Sequence, residues 1–193
     1  MLKEILKDKQ IILGSQSPRR KALLSDLDIE FETRTKNVEE SFPLELSDEE
    51  VPVFLSKKKA AAFANELLPN DILITSDTVV SLEGKIINKP QDRDEAYQML
   101  RSFSNKKNDV ITGVCLKSIE KEQAFFVKTA VYFKALSDQE IYYYIDHYQP
   151  YDKAGAYGIQ EWIGKIAIHR IEGCYFNVMG LPLQALYKVL KHF

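Results

Sequence analysis

Two long stretches rich in β-branched and aromatic residues, Val110–Ile119 and Ala124–Ala135, are separated only by the charged segment Glu120–Gln123. A link that short lets the second stretch return only antiparallel to the first, because a parallel return needs a dozen or more residues. The pattern therefore predicts a long hairpin, and the rest of the chain must build around it. Upstream, apolar runs alternate with helical patterns. Gln10–Gly14 reads as a buried strand entering a turn, and Ser17-Pro18 as the hydroxyl cap and first-turn proline of a helix through Leu27.

Ile29–Thr35 alternates like a half-buried strand, and Asn37–Leu46 reads as a loop carrying Glu39 and Glu40. A helix follows over Ser47–Asn65, then two short strands, Asp71–Thr75 and Val79–Leu82, flanking Ser76-Asp77-Thr78. Lys85–Ile87 follows a Glu83-Gly84 turn, and Gln91–Phe103 reads as a helix. After the hairpin come a helix at Ser137–Tyr148, a strand at Gly164–Ile171 and a closing helix at Leu181–Phe193. This order predicts an α/β fold with a mixed sheet flanked by helices. The absence of a repeat, low-complexity tract or linker predicts one domain over residues 1–193.

The composition narrows the function classes. With 193 residues, 45% of them hydrophobic, the chain has material for a real core. Lys+Arg 26 against Asp+Glu 28 gives a net charge of −2, which argues against a general nucleic-acid binder. Cys115 and Cys174 form neither a disulfide framework nor a zinc motif, and His147, His169 and His192 have no ligand spacing. The N-terminus lacks a signal-peptide core and no apolar run reaches membrane-spanning length, so the expectation is a soluble cytoplasmic protein without membrane partners.

Polar residues that interrupt the packing pattern fall in a few segments. Arg19 and Arg20 follow the helix start at Ser17, where free backbone N–H groups and guanidinium forks suit phosphate oxygens; the same residues also fit a capped surface helix. Asp77 lies between apolar strands, where a carboxylate at a sheet mouth holds a metal or orients water; alternatively it caps its own turn. Lys59 and Lys89 each read singly as surface lysines. Tyr151–Gln160, with Lys153, two glycines and Gln160, can wrap a ligand closely, and Gly173–Pro182 reads as a tight turn before the last helix. Several cations with one carboxylate are equipment for phosphoryl chemistry.

The segments ILGSQSPRRKALL, ITSDTVV, INKPQDRDEAYQML, YDKAGAYGIQ and NVMGLP stand in the order and spacing of the Maf family, which the chain resembles over nearly its whole length. The resemblance implies a two-lobed α/β fold with a central cleft. It also implies hydrolysis of a nucleoside triphosphate to the monophosphate and pyrophosphate with Mg²⁺ or Mn²⁺, as a homodimer, keeping non-standard nucleotides out of nucleic acid. On it, Asp77 matches the general base and Ser17, Arg19, Arg20, Lys59 and Lys89 the phosphate-binding positions. Lys153 lies in a substrate-binding segment, and Glu40 or Glu39 matches a loop acid that joins Asp77 at the metal.

Arg19, Thr78 and Gln160 match the branch acting on dTTP and UTP; a glutamine amide both donates to and accepts from a pyrimidine edge. Two positions depart from the family pattern: Gly14, where Ala is usual, and Glu161-Trp162, whose bulk is expected to narrow the base pocket. The rival reading from the same resemblance is a nucleotide-binding regulator of septum formation with little turnover.

Overall fold

The computed structural model describes residues 1–193. Helix α1 (Leu2–Ile5) precedes β1 (Gln10–Leu13), α2 (Pro18–Ser25), β2 (Glu32–Thr33) and α3 (Glu50–Ala61). Next come β3 (Asp71–Leu82), β4 (Lys85–Ile87), α4 (Arg93–Phe103), β5 (Lys107–Lys117) and β6 (Glu122–Phe133). Helices α5 (Asp138–Tyr148) and α6 (Trp162–Ala167), strand β7 (Ile168–Glu172), and helices α7 (Tyr175–Met179) and α8 (Leu183–Leu190) complete the chain. No helix is long and apolar enough to cross a membrane.

The strands form one sheet in the order β2-β1-β3-β5-β6-β7, with β4 added to β3. Strand β1 runs parallel to β2 and β3, and every other pairing is antiparallel. The expected mixed α/β sheet is present, and the hairpin is its backbone: β5 and β6 pair from Lys117↔Glu122 to Lys107↔Tyr132.

The two largest apolar cores occupy different parts of this sheet. One joins β1, α2 and α8 to Val114 and Leu116 of β5. The other joins Val80 to α4, α5, Phe133 and Tyr157. In the second, Tyr157 meets Phe133 edge-on at 5.1 Å and Phe103 at 5.8 Å. Such pairs add about 0.5–1.5 kcal/mol beyond the area they bury.

Three sequence expectations are corrected. Strand β3 is continuous, so Ser76-Asp77-Thr78 is no turn between two strands: nine consecutive β5 partners, from Leu73↔Lys117 to Ser81↔Asp109, carry it through the polar triplet. Gly164–Ile171 is not one strand. Ile163 and Ala167, four apart, are both buried, so the first part is the helix α6, with pairing to β6 only after it. The Ile29–Thr35 strand shrinks to Glu32–Thr33, the only residues that pair with β1.

Candidate active site

The cleft opens where β3 loses a neighbour. One edge of β3 pairs with β1 over Asp71–Ile74 and with β4 over Val80–Leu82, so Thr75 through Val79 pair only with β5. Asp77 lies in that gap. A polar side chain is placed mid-strand, yet at an opening rather than under a neighbouring strand. Opposite Asp77 on β5 stands Gly113, and a Cβ there would lie 2.3 Å from the Pro52 carbonyl. Glycine therefore lets α3 sit directly on the sheet beside Asp77. The same helix carries Lys59, whose Nζ is 2.5 Å from Asp77 Oδ1 and 2.7 Å from Glu40 Oε1.

The α2 side is built differently. Ser17 caps α2, its Oγ accepting from the Arg20 N–H at 3.4 Å, with Pro18 in the first turn as the sequence predicts. Arg20 Nε donates to the Gly180 carbonyl at 2.9 Å and Nη2 to Thr78 Oγ1 at 3.0 Å. Thr78 Oγ1 also lies 3.0 Å from Thr112 Oγ1, and Thr112 donates to the Asn177 carbonyl at 3.0 Å. Arg20 is thus aimed by neutral groups and has no carboxylate within ion-pair distance. Burial lowers its pKa, opposed by the charge of Asp77; a guanidinium nonetheless stays charged throughout the physiological range.

The rim is a chain of ion pairs. Glu40 Oε2 lies 3.3 Å from Lys89 Nζ. Asp152 accepts from Arg19 Nη1 at 2.9 Å and from Lys153 Nζ at 2.6 Å. Partial burial alone would push the Glu40 carboxyl up, but hydrogen bonds and charge from Lys59, then Lys89, hold it below the ordinary carboxylate range. Asp152 is likewise held down by Lys153 and Arg19 against its own partial desolvation.

These groups surround one cavity of about 450 Å³. It is lined by Asp77 together with Ser17, Arg19, Arg20, Lys59, Thr78, Lys89, Lys153, Gln160 and Glu40, so the candidate catalytic, phosphate-binding and base-reading residues all meet here. Glu40 lines it and Glu39 does not. An apolar wall including Phe42, Val79, Ile86 and Tyr157 completes it. A second, almost wholly polar chamber of about 350 Å³ shares Arg19, Arg20, Lys59 and Lys89 and continues toward Ser15 and Lys36. Glu161 does not line the cavity; its carboxylate turns to Lys153 and the Tyr144 hydroxyl, so the expected narrowing of the pocket is absent. Neither the three histidines nor the two cysteines line it, so it holds no thiol or imidazole, and burial elsewhere pushes the Cys115 thiol up to about 12.

Sequence reasoning missed Asp152 and the Gly180 carbonyl as site groups. Asp152 stands next to Lys153 in the glycine-bearing segment, which was a usable signal. A backbone carbonyl leaves no signature in a sequence.

The sequence profile of a family described as Maf-like protein matches residues 10–193. A relative from Porphyromonas gingivalis, named dTTP/UTP pyrophosphatase, is 52% identical over 191 residues, covering 97% of this chain and 96% of that protein. One of the same name from Flavobacterium johnsoniae is 51% identical over 190 residues, covering 98% of each. Among solved structures, a nucleoside-triphosphatase (dITP/XTP pyrophosphatase) from Mycobacterium abscessus aligns with 64% of this chain and 72% of its own, at 13% identity and a TM-score of 0.42.

Proposed function

The chain belongs to the Maf-like protein family, and on that premise we propose that it hydrolyses dTTP and UTP to the monophosphates and pyrophosphate. The observation that carries this reading is the convergence of Arg20, Lys59 and Lys89 on the one cavity that also holds Asp77 and an apolar wall. A triphosphate needs the cations, a pyrimidine the wall, and a water nucleophile the carboxylate.

In this mechanism the oxygen of a water attacks the α-phosphorus and Asp77 takes its proton. The bond to the β-phosphate oxygen breaks, and pyrophosphate leaves with that oxygen. Arg20 holds phosphate oxygens as a preset fork, while Arg19, Lys59 and Lys89 offset the charge of the leaving group. Lys153 completes the cation set, and Ser17 presents the N-terminus of α2. Gln160 reads the base. Thr78, whose hydroxyl engages Arg20 and Thr112, holds the arginine.

The donor set fits a divalent metal such as Mg²⁺ or Mn²⁺. No three His, Cys, Asp or Glu side chains gather into a protein-only site. The Asp77 and Glu40 carboxylates nevertheless converge on one cation position, taken by the Lys59 ammonium. Two carboxylates completed by substrate phosphates are the usual Mg²⁺ arrangement. Asp77 and Glu40 would hold the metal, which would supply charge neutralisation at the phosphates.

Pyrophosphate release across nucleoside triphosphates, with Mg²⁺ or Mn²⁺, tests the reading. The expected result is turnover of dTTP and UTP well above GTP. Binding without turnover on any nucleotide would instead support the regulator of septum formation. A homodimer, which the family resemblance implies, is tested by the solution mass.

A further inference from the structure

We infer that Tyr144 and Glu161 are positioning residues that fix Gln160 and thereby set base discrimination, an inference that rests on the base-reading role proposed for Gln160. Gln160 ends an irregular segment, and the question is what keeps it still. Its neighbours on both sides are tied to one anchor. The Gly158 N–H donates to the Tyr144 hydroxyl at 3.0 Å, and that hydroxyl donates to the Glu161 carboxylate. The Glu161 N–H closes the loop by donating to the Gly158 carbonyl at 3.0 Å. Gly158 is pressed against this clamp, since a Cβ there would lie 2.8 Å from Glu161 Cδ.

The anchor itself is rigid. Tyr144 is fully buried in α5 between the buried Ile141 and Ile145. Neither Tyr144 nor Glu161 lines the cavity, whereas Gly158, Gln160 and Lys153 do, so both act through the segment they hold. Glu161 Oε1 also lies 3.2 Å from Lys153 Nζ, and Lys153 leads through Asp152 to Arg19. A run of contacts thus joins the base reader to the phosphate cations. Glu161, a departure from the family pattern, is the knot in that run.

The test is calorimetric titration of metal-free protein with dTTP and with GTP, so that binding is read without hydrolysis. Wild type is expected to prefer dTTP. Tyr144→Phe and Glu161→Ala should each cut the preference about tenfold, the scale of losing a charged hydrogen bond. The double variant should lose no more than either single one, because both break the same clamp. Glu161→Gln keeps an acceptor oxygen for the Tyr144 hydroxyl and should restore the preference.

A purely structural role would weaken both nucleotides equally and leave their ratio intact. An unchanged ratio in the Glu161→Ala variant, with its fold verified by circular dichroism, overturns the inference even if Tyr144→Phe fails to fold. Equal binding of both nucleotides by wild type overturns it too. A wild type that prefers dTTP but releases no pyrophosphate with Mg²⁺ leaves the inference standing and removes the hydrolytic reading alone.

Discussion

Arg20 and Lys59 face the same cavity from opposite sides and are held by opposite means. Arg20 is aimed by the Gly180 carbonyl and the Thr78 hydroxyl, both neutral, so its full charge remains available to an anion. Lys59 is held between Asp77 and Glu40, and its charge is already matched. In the proposed reaction a triphosphate docks on Arg20 without displacing a carboxylate. On the α3 side the same reaction requires an exchange of partners, in which Lys59 turns from Asp77 and Glu40 to the phosphates. One side is built for anchoring and the other for a change of state, which is where the chemistry should respond most to substitution.

The sharpest way to break that division is Asp77→Asn. It keeps shape but removes both the proton acceptor and one anionic partner of Lys59. Turnover should fall by at least ~10²-fold, the scale of general-base loss, while KM does not rise, because Lys59 is released toward the phosphates. Steady-state kinetics on dTTP decide it; turnover near that of wild type would remove Asp77 from the proton-transfer role. Arg20→Lys is the complementary break, because a point charge cannot reach Gly180, Thr78 and a phosphate together. There the loss should fall on KM, by roughly 10- to 100-fold, equivalent to about 1.5–3 kcal/mol for hydrogen bonds to a charged group. A loss confined to kcat would contradict the anchoring role.

What the sequence revealed and what it hid divide along a related line. Local chemistry was legible: Ser17 and Pro18 marked the start of α2, the short Glu120–Gln123 link dictated the hairpin, and of the candidate site residues only Glu39, the alternative to Glu40, stays outside the cavity around Asp77. Long-range compensation was not. Ser76-Asp77-Thr78 looks like a break because three polar residues in a row ordinarily leave a sheet, yet each is satisfied from afar. Ser76 finds Gly180, Asp77 finds Lys59 and Thr78 finds Arg20 and Thr112. Tyr144 was invisible for the same reason, since its partner Glu161 lies beyond a loop. Gly164–Ile171 reads as one strand because the six residues of α6 are too few for a helical period to stand out from an alternation of two.

Lys59→Met sharpens the comparison from the α3 side. It leaves Asp77, which is nearly buried, and Glu40 converging on each other without a cation. Breaking a buried pair costs about 3–5 kcal/mol, and the half-exposed Glu40 places this case below that range. The melting temperature should drop by several degrees, and kcat/KM by about tenfold for one lost charge-assisted contact. Added Mg²⁺ should then raise the melting temperature of this variant more than that of wild type, because the vacated position lies between two carboxylates. Equal Mg²⁺ responses would mean that those carboxylates do not form a cation site.

The smallest effect is the pH dependence that Glu40 contributes from the α3 side of the cleft. Glu40 is held below its ordinary value of 4.5, with Lys59 and Lys89 outweighing the desolvation that would raise it. A depressed folded-state pKa contributes stability that is present above the unfolded value and lost as pH falls through the folded one. Arg20 has no carboxylate partner and stays charged throughout, so it adds nothing to this dependence, while the Arg19–Asp152 pair beside it titrates in wild type and in a Glu40→Gln variant alike. Melting curves from pH 7 down to about 3.5 for wild type and Glu40→Gln should therefore show a small gap above pH 4.5 that closes below it. Since Glu40 is half exposed, solvent screening keeps that gap to a degree or so. A gap that stays constant to the acid end would mean that the ionised Glu40 carboxylate contributes nothing through Lys59 and Lys89, and that the contrast between the two sides rests on Asp77 alone.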